Sequence, residues 1–201
     1  MGKYTGKTAV VTGGAGNPGF KILKYLMEEG ANVAVLSSTK EKGLETVNRL
    51  GADKLHCISD VCDVTDKIQV KEVFHKVEHA FGGIDFVFCF QGWPPKSQNI
   101  IDIDDSYWEN ILSSHLTGCF HMLQQSIPFL EKSNSARVVF LASQGAENGS
   151  GDDGLAYTTA KGGIIAMSQY ASKMLADKKI MVNYIVDDEG MLLAVELLLG
   201  I

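Results

Sequence analysis

The sequence predicts an α/β fold, with one doubly wound parallel sheet of the Rossmann type between two layers of helices. Short β-branched or apolar segments alternate along the chain with segments whose apolar residues recur at helical spacing. Residues 84–90 are apolar at nearly every position, which is typical of a central parallel strand covered on both faces. A glycine-rich loop also separates the first predicted strand from the first predicted helix. Alternating βα units of this kind form parallel sheets through right-handed crossovers.

Six strands follow from the β-branched and apolar segments, of which the first reads Thr-Ala-Val-Val-Thr. They are expected at residues 8–12, 32–36, 55–59, 84–90, 137–142 and 180–186. Helical spacing predicts helices at residues 20–27, 42–50, 67–80, 106–130, 157–177 and 191–199. Polar loops at 91–105 and 144–155 separate the later elements. Because no repeat or linker interrupts the alternation, residues 1–201 are expected to form one domain.

Composition limits the class of protein. The 201 residues are 45% hydrophobic and 21% charged, which is sufficient for one substantial core. No apolar stretch reaches the length of a membrane span, and no signal-peptide region is seen, so we expect a cytoplasmic protein without membrane contact. A net charge of −6 argues against nucleic acid as a partner, because neutralising phosphates requires a basic face.

Cysteine and histidine spacing gives no indication of a metal site. The cysteines form no Cys-x-x-Cys pair and lie in apolar surroundings, so buried reduced thiols are expected at Cys57, Cys62, Cys89 and Cys119. The five histidines show no ligand pattern either. We therefore expect no bound metal.

The loop after the first strand has the composition of a phosphate-binding loop. It reads Gly-Gly-Ala-Gly-Asn-Pro-Gly over residues 13–19 and leads into a segment with helical spacing. Glycines let backbone N–H groups approach a pyrophosphate, and the N-terminus of a helix supplies partial positive charge. This order of strand, loop and helix favours dinucleotide binding, with a tight structural turn as the alternative.

Tyr157 and Lys161 form a second informative pattern. They lie four residues apart in a predicted helix, which places their side chains on one face, one turn apart. A phenol is a poor base at neutral pH, and a neighbouring ammonium favours the phenolate that acid–base catalysis requires. An exposed lysine beside a half-buried tyrosine has the same spacing, so the pair alone does not decide the function.

Together these residues resemble the short-chain dehydrogenase/reductase family over most of the chain. The family carries Thr-Gly-x-x-x-Gly-x-Gly after its first strand, and Thr12, Gly13 and Gly19 match that motif. Asn17 stands at the middle glycine, with Gly16 beside it. Since asparagine tolerates a positive φ better than other non-glycine residues, the turn is expected to form.

The resemblance also implies catalytic roles. A serine ends the family's strand before Tyr-x-x-x-Lys, and Ser143 stands there in this chain. By that likeness Ser143 binds the substrate oxygen, Tyr157 transfers the proton, and Lys161 promotes the phenolate and binds the nicotinamide ribose. His115 stands where the family has a catalytic asparagine. A histidine can hold a water or relay a proton there, or it can be a buried structural residue.

A nicotinamide cofactor at the carboxyl ends of the strands is implied by the same resemblance. After the second strand, Ser37 and Ser38 replace the acidic residue that would repel a 2′-phosphate, so we expect NADP, with NAD as the alternative. Asp63 and Val64 match the family's adenine-contacting pair, although a helix-start aspartate gives the same pattern. The residues expected to bind the cofactor are Thr12, Gly13, Gly16, Asn17, Gly19, Ser37, Ser38, Asp63, Val64, Gly92, Tyr157 and Lys161.

Two segments depart from the family pattern. Only Gly92 remains of the family's strand-end Asn-Asn-Ala-Gly, because Cys-Phe-Gln precedes it here. After residue 186 the family's Pro-Gly pair is replaced by Asp-Asp-Glu-Gly, which leads straight into the apolar segment 191–199. We expect the substrate loop and the last strand of the family to be missing, through omission of segments from a longer protein rather than a naturally short chain.

The leading hypothesis is an oxidoreductase that transfers hydride between a nicotinamide and a small alcohol or carbonyl substrate. The alternative is a dinucleotide-binding sensor or scaffold of the same fold without catalysis, which Asn17, His115 and the missing Pro-Gly pair favour. The helices near 106–130 and 157–177 match those that pair between subunits in the family, so a homodimer or homotetramer is expected.

Overall fold

Six parallel strands form one sheet in the structure, a computed structural model that describes residues 2–51, 55–92, 99–149, 154–186 and 191–200. The strands are β1 Thr8–Thr12, β2 Asn32–Ser37, β3 Cys57–Val61, β4 Phe86–Cys89, β5 Arg137–Leu141 and β6 Met181–Ile185. Their order is β3-β2-β1-β4-β5-β6, and each pairing is parallel. The direction of winding reverses between β1 and β4, which confirms the predicted doubly wound sheet.

Helices cover both faces of the sheet. On one face lie α1 Asn17–Glu28, α2 Lys40–Leu50 and α8 Met191–Leu199. On the other lie α3 Lys67–Phe81, α5 Gly118–Leu130 and α7 Leu155–Met174. Successive strand residues point to opposite faces, so Val10 packs in the core beside α3 and α5 while Ala9 and Val11 pack beside α1. The three-layer architecture is therefore confirmed.

The helix predicted at 106–130 is interrupted in the structure. Its first part is α4 Asp105–Ile111, and a π-helical turn at Leu112–Thr117 separates α4 from α5. A π turn adds a residue to one turn of a helix and is frequent at functional sites. His115 lies within this turn and is buried.

Several other bounds differ from the prediction, and β4 in particular is shorter than predicted, at Phe86–Cys89. β3 begins at Cys57 rather than two residues earlier, because Leu55 lies in an exposed turn. Ser143 caps a short helix, α6 Gln144–Asn148, inside the second predicted loop. α7 begins before its predicted start, and a 3₁₀ turn at Ala176–Lys178 takes the place of its expected last residues.

The predictions for the apolar segment and the cysteines are both confirmed. The segment 191–199 is helical as α8, and its Met191, Val195 and Leu199 are buried in the core beside α1. All four cysteines are buried free thiols. Within the described residues, none of the helices has both the length and the apolar character needed to cross a membrane.

Candidate active site

Glycine is required by the backbone at two positions of the loop between β1 and α1. Gly13 has a φ of +71°, and a Cβ on it would lie 2.1 Å from the carbonyl oxygen of Phe90. A Cβ on Gly19 would lie 2.4 Å from the carbonyl oxygen of Gly13. The loop therefore folds closely onto itself and onto the segment after β4, and only glycine fits at these two positions.

Gly16 differs, because the fold itself does not require a glycine there. Its φ is −75°, and its Cβ would contact only the carbonyl oxygen of Gly13, at an ordinary 3.4 Å. Gly16 is exposed and caps α1 without a side-chain hydrogen bond. A helix N-terminus of this kind offers N–H groups and partial positive charge to an anion. A side chain at this position would take up space that a bound phosphate needs.

Asn17 is the first residue of α1 and has helical backbone geometry. The positive φ considered for it is therefore not found, and the left-handed residue of the loop is Gly13. The asparagine side chain is exposed. The loop thus forms without a glycine at position 17, because its sharp turn is completed before that residue.

A cavity of about 250 Å³ opens where the carboxyl ends of β1, β2 and β4 meet. The predicted cofactor-binding residues that line it are Thr12, Gly13, Gly16, Ser37, Ser38, Asp63, Val64 and Gly92. Asn17, Gly19, Tyr157 and Lys161 are not among its lining residues. Lys42, Gln91 and Ser114 line the cavity without having been predicted. The structure therefore brings most of the predicted cofactor residues into one cavity, with the predicted proton-transfer residues outside it.

Gln91 holds the loop after β4 in place. Thr12 Oγ1 accepts a hydrogen bond from the N–H of Phe90 at 3.2 Å and donates one to Gln91 Oε1. Gln91 Nε2 donates to Cys119 Sγ on α5 at 3.0 Å. The glutamine thereby joins β1 to α5, a role that an amide directly after a strand suggests and that the sequence analysis missed.

The rim after β2 combines structural and exposed polar groups. Ser37 Oγ donates to the carbonyl oxygen of Thr39 at 2.7 Å, and Thr39 Oγ1 accepts from the N–H of Lys42 at 3.4 Å to cap α2. A Cβ on Gly43 would lie 2.8 Å from Ser37 Oγ, so this hydroxyl lies against α2. Ser38 is exposed at the cavity rim. Of the two predicted serines, which both line the cavity, Ser38 is the more exposed.

Asp63 serves the local backbone as well as the cavity wall. Its Oδ1 accepts hydrogen bonds from the N–H of Thr65 at 2.9 Å and from Thr65 Oγ1 at 2.7 Å. Val64 packs closely on α5, where a Cβ on Gly118 would lie 2.6 Å from Val64 Cγ2. Both interpretations of this pair therefore have structural support, since Asp63 organises the turn before α3 and also lines the cavity.

Lys161 is a buried cation between α7 and the end of β5. Its side chain is 1% exposed, and its Nζ donates to the carbonyl oxygen of Leu141 at 2.6 Å. The same Nζ lies 5.3 Å from the centroid of the Tyr157 ring. Ser143 follows Leu141 by two positions, is also buried, and accepts a hydrogen bond from the N–H of Gly145 at 3.2 Å. The three predicted residues Ser143, Tyr157 and Lys161 thus converge at the carboxyl end of β5.

His115 packs edge-to-face on Tyr157, with ring centroids 5.3 Å apart. Burial, reinforced by the positive charge of Lys161, lowers the pKa of His115 to about 4, so the ring is neutral near pH 7. Its Nδ1 lies 3.1 Å from the carbonyl oxygen of Ile111 and 2.9 Å from Ser114 Oγ. A Cβ on Gly92 would lie 3.1 Å from Nε2. His115 therefore lies between Gly92 of the cavity wall and Tyr157.

Parts of the two loops near this site lie outside the described residues. These are residues 93–98 and 150–153, together with the segment 187–190 where the family's Pro-Gly pair is replaced.

The sheet order and the site define a class of protein. A Rossmann-type sheet has its ligand crevice at the point where the strand order reverses, and the cavity lies at that point between β1 and β4. Gly16 and the open N-terminus of α1 fit a pyrophosphate, because they leave space and N–H groups that the fold does not otherwise need. The fold and the position of this cavity place the molecule in the class of Rossmann-type α/β proteins, which bind dinucleotides at this point.

Comparison with known proteins identifies the family. A family model described as short chain dehydrogenase matches residues 7–187, and the chain belongs to this family. It is 29% identical over 179 residues to 3-oxoacyl-[acyl-carrier-protein] reductase FabG of Staphylococcus aureus, covering 88% of this chain and 72% of that protein. It is 26% identical over 182 residues to 2-dehydro-3-deoxy-L-rhamnonate dehydrogenase (NAD(+)) of Sphingomonas sp., covering 90% of this chain and 71% of that protein.

Solved structures agree with this assignment. A structure of NAD⁺-bound xylitol dehydrogenase superposes with a TM-score of 0.83 at 33% identity, over 92% of this chain and 70% of that one. A short-chain dehydrogenase/reductase from Brucella melitensis superposes with a TM-score of 0.85 over 92% of this chain and 77% of that one; at 24% identity it supports the fold alone. The protein is therefore an oxidoreductase of the short-chain dehydrogenase/reductase family that uses a nicotinamide cofactor, NAD or NADP.

We expect alanine to have different effects at Gly13, where the backbone requires glycine, and at Gly16, where it does not. Gly13→Ala is expected to lower the free energy of unfolding by about 3 kcal/mol or more, through strained φ and the contact with Phe90. Gly16→Ala is expected to change the free energy of unfolding by less than about 0.5 kcal/mol. It is expected to weaken dinucleotide binding about tenfold or more, because the added methyl group takes up space in front of the N-terminus of α1. Urea unfolding and a fluorescence titration with NADPH measure the two effects. Unchanged binding by Gly16→Ala would show that this helix end is not the phosphate site.

The lowered pKa of His115 is expected to make the stability of the protein depend on pH. Its pKa is about 4 in the folded chain against 6.5 in the unfolded chain, so the unfolded chain binds the proton first on acidification. Stability from this residue is complete above pH 6.5 and is lost as the pH falls to about 4, by on the order of 3 kcal/mol. Urea unfolding of the wild type and of His115→Asn over this range is expected to show a shallower acid decline for the variant. His79→Asn, at an exposed histidine of α3, is the matched control, and identical profiles for all three proteins would contradict the prediction.

Proposed function

We propose that the protein is an NADP-dependent oxidoreductase that interconverts a small alcohol and the corresponding carbonyl compound. The observation that carries this proposal is the buried ammonium of Lys161 beside the Tyr157 ring, at the same strand ends as a glycine loop with an open helix N-terminus. The names of the relatives, one reductase and two dehydrogenases, support the same type of reaction.

The cofactor would be held by residues on both sides of the strand-order reversal. Gly13, Gly16 and the N-terminus of α1 would hold the pyrophosphate, and Asp63 with Val64 would contact the adenine. Gly92 would border the nicotinamide side of the cavity, and the Lys161 ammonium would reach the nicotinamide ribose. When bound, the nicotinamide supplies or accepts the hydride.

The chain's own residues would handle the proton. In reduction, the Tyr157 hydroxyl would donate its proton to the substrate oxygen, while Ser143 Oγ donates a hydrogen bond to the same oxygen. Lys161 has three donors, so it can keep its bond to Leu141 while its charge favours the Tyr157 phenolate. Burial keeps that charge poorly screened by solvent. Neutral His115, packed on the Tyr157 ring, would hold a water or relay the proton to solvent.

Two features of this chain support NADP over NAD. The rim after β2 presents Ser38 rather than an acidic side chain, so no carboxylate there would repel a 2′-phosphate. Lys42 lines the same part of the cavity and provides positive charge. The relative from Sphingomonas, by contrast, is named for NAD⁺. We therefore assign the preference from the residues of this chain.

The resemblance to the family also suggests how the subunits assemble. We infer a homodimer or homotetramer through α5 and α7, which present the exposed apolar side chains of Phe120, Tyr170 and Met174. Light scattering of the purified protein measures its oligomeric state, and a monomer at micromolar concentration would contradict the proposed dimer or tetramer.

The four buried free thiols fit a reducing compartment, and we infer a cytoplasmic location.

The first test is a titration with NADPH and NADH, followed by nicotinamide fluorescence. We expect NADPH to bind at least about tenfold more tightly, because a phosphate that pairs with cations gains charge-assisted hydrogen bonds. Ser38→Asp is expected to remove most of this preference by placing a carboxylate at the rim, whereas Ser172→Asp, at a half-buried serine of α7, is expected to keep it. Equal affinity of the wild type for both cofactors would contradict the NADP assignment.

The second test is Tyr157→Phe, assayed with NADPH against aldehydes, ketones, keto sugars and a 3-oxoacyl thioester. Turnover is expected to fall by about a thousandfold or more, because the variant has no proton to transfer, while the dissociation constant of NADPH changes less than about threefold. Tyr170→Phe, at an exposed tyrosine of the same helix, is the control and is expected to retain activity. Retained turnover by Tyr157→Phe would remove Tyr157 from the mechanism. Cofactor binding by the wild type without turnover of any substrate class would favour the sensor or scaffold alternative.

A further inference from the structure

One face of α2 lies against the glycine loop and carries two basic residues. Lys42, Thr46 and Arg49 follow each other at positions i, i+4 and i+7, which places them on the same side of the helix. Thr46 is buried, so this side faces the protein. Lys42 lines the cavity at the helix start, and Arg49 lies in the last turn.

Arg49 reaches back from α2 to the rim of the cavity. Its guanidinium carbon lies 4.1 Å from the centroid of the Phe20 ring on α1, within the range of a cation–π contact. Its Nη1 donates to the carbonyl oxygen of Ala15 at 3.4 Å. Ala15 belongs to the glycine loop and lines the cavity. Two contacts with separate elements therefore hold an exposed guanidinium beside the phosphate-binding loop.

The Arg49 guanidinium has further N–H donors that could bind a ligand. An arginine carries five N–H groups in a fixed fork, and the contact with Ala15 uses one of them. The planar fork matches the oxygens of a phosphate, and stacking on Phe20 fixes its orientation before any ligand binds. The 2′ substituent of the adenosine ribose lies beside the loop after the second strand in this fold, where Ser38 and Lys42 are found.

We propose that Arg49 binds the 2′-phosphate of NADP together with Lys42 and is the residue that sets the cofactor preference. This inference rests on the NADP dependence of the proposed function and names the residue responsible for it. The Arg49 guanidinium beside Ala15 and the Lys42 ammonium at the cavity wall would hold the phosphate. In the sequence Arg49 stands twelve positions after Ser37, so a search of the residues directly after β2 does not find it.

The test is calorimetric titration of the full chain and of Arg49→Met with NADPH, NADH, 2′,5′-ADP and 5′-AMP. Methionine keeps an apolar stem against Phe20 and removes the fork. We expect NADPH and 2′,5′-ADP to bind at least about tenfold more weakly, and NADH and 5′-AMP to change less than about twofold, because only the first two carry the 2′-phosphate. Arg49→Lys keeps the positive charge but lacks the planar fork. Its affinities for NADPH and 2′,5′-ADP are expected to lie between those of the wild type and those of Arg49→Met. Lys71→Ala, at an exposed position of α3, removes the same charge and is expected to leave all four affinities unchanged.

The outcomes separate this inference from the proposed function. If the wild type prefers NADPH and Arg49→Met keeps that preference, Arg49 does not bind the 2′-phosphate, and the NADP assignment stands without it. Equal weakening of NADPH and NADH would mean that Arg49 acts on the pyrophosphate or only holds the glycine loop, which overturns the inference. A wild type without preference would overturn the NADP assignment and this inference together. Thermal unfolding of each variant checks that the loss of affinity is not a loss of fold.

Discussion

The close approach of the glycine loop to the chain after β4 is the constraint on which the site depends. Gly13 leaves no room for a Cβ against the Phe90 carbonyl oxygen, so the two segments are in backbone contact where the strand order reverses. That contact places Phe90 and Gln91 against Thr12. Gln91 in turn donates a hydrogen bond to Cys119, which links the loop to α5. Because α5 follows directly from the π turn that holds His115, the position of the glycine loop determines where His115 meets Gly92.

A second organising element is the positive charge of Lys161. The ammonium lies between β5 and α7, donates to Leu141, and contributes to the lowered pKa of His115. Burying a cation costs free energy that an apolar side chain at the same position would not. Stability alone therefore does not explain this lysine, and the proposed reaction, which needs a phenolate beside it, offers a reason for it. Burial is the main reason that His115 is neutral, and the charge of Lys161 adds to it, while both residues contact Tyr157.

The fold was predictable from the sequence because strand and helix periodicity are local signals. The glycine loop and the spacing of Tyr157 and Lys161 were visible for the same reason, since all their members lie within a few residues of each other. The π turn was not visible, because one extra residue in a helical turn leaves the apolar spacing of 106–130 almost unchanged. Arg49 and Gln91 act through contacts with residues 34 and 28 positions away, and only the packing of α2 on α1 and of β4 on α5 brings those partners together.

The residues that the fold does not need are the more informative about ligands. Gly13 and Gly19 are fully accounted for by sterics, and they would be glycines in any protein with this turn. At position 16 a larger residue fits the backbone, so sterics within the chain do not account for this glycine, and the proposed phosphate site in front of α1 offers a reason for it. The same reasoning applies to Arg49, because an exposed guanidinium stacked on Phe20 adds little stability, yet the contact fixes its orientation at the cavity rim. Gly16 lines the cavity and Arg49 contacts Ala15 of its wall, and both residues favour an anion as its occupant.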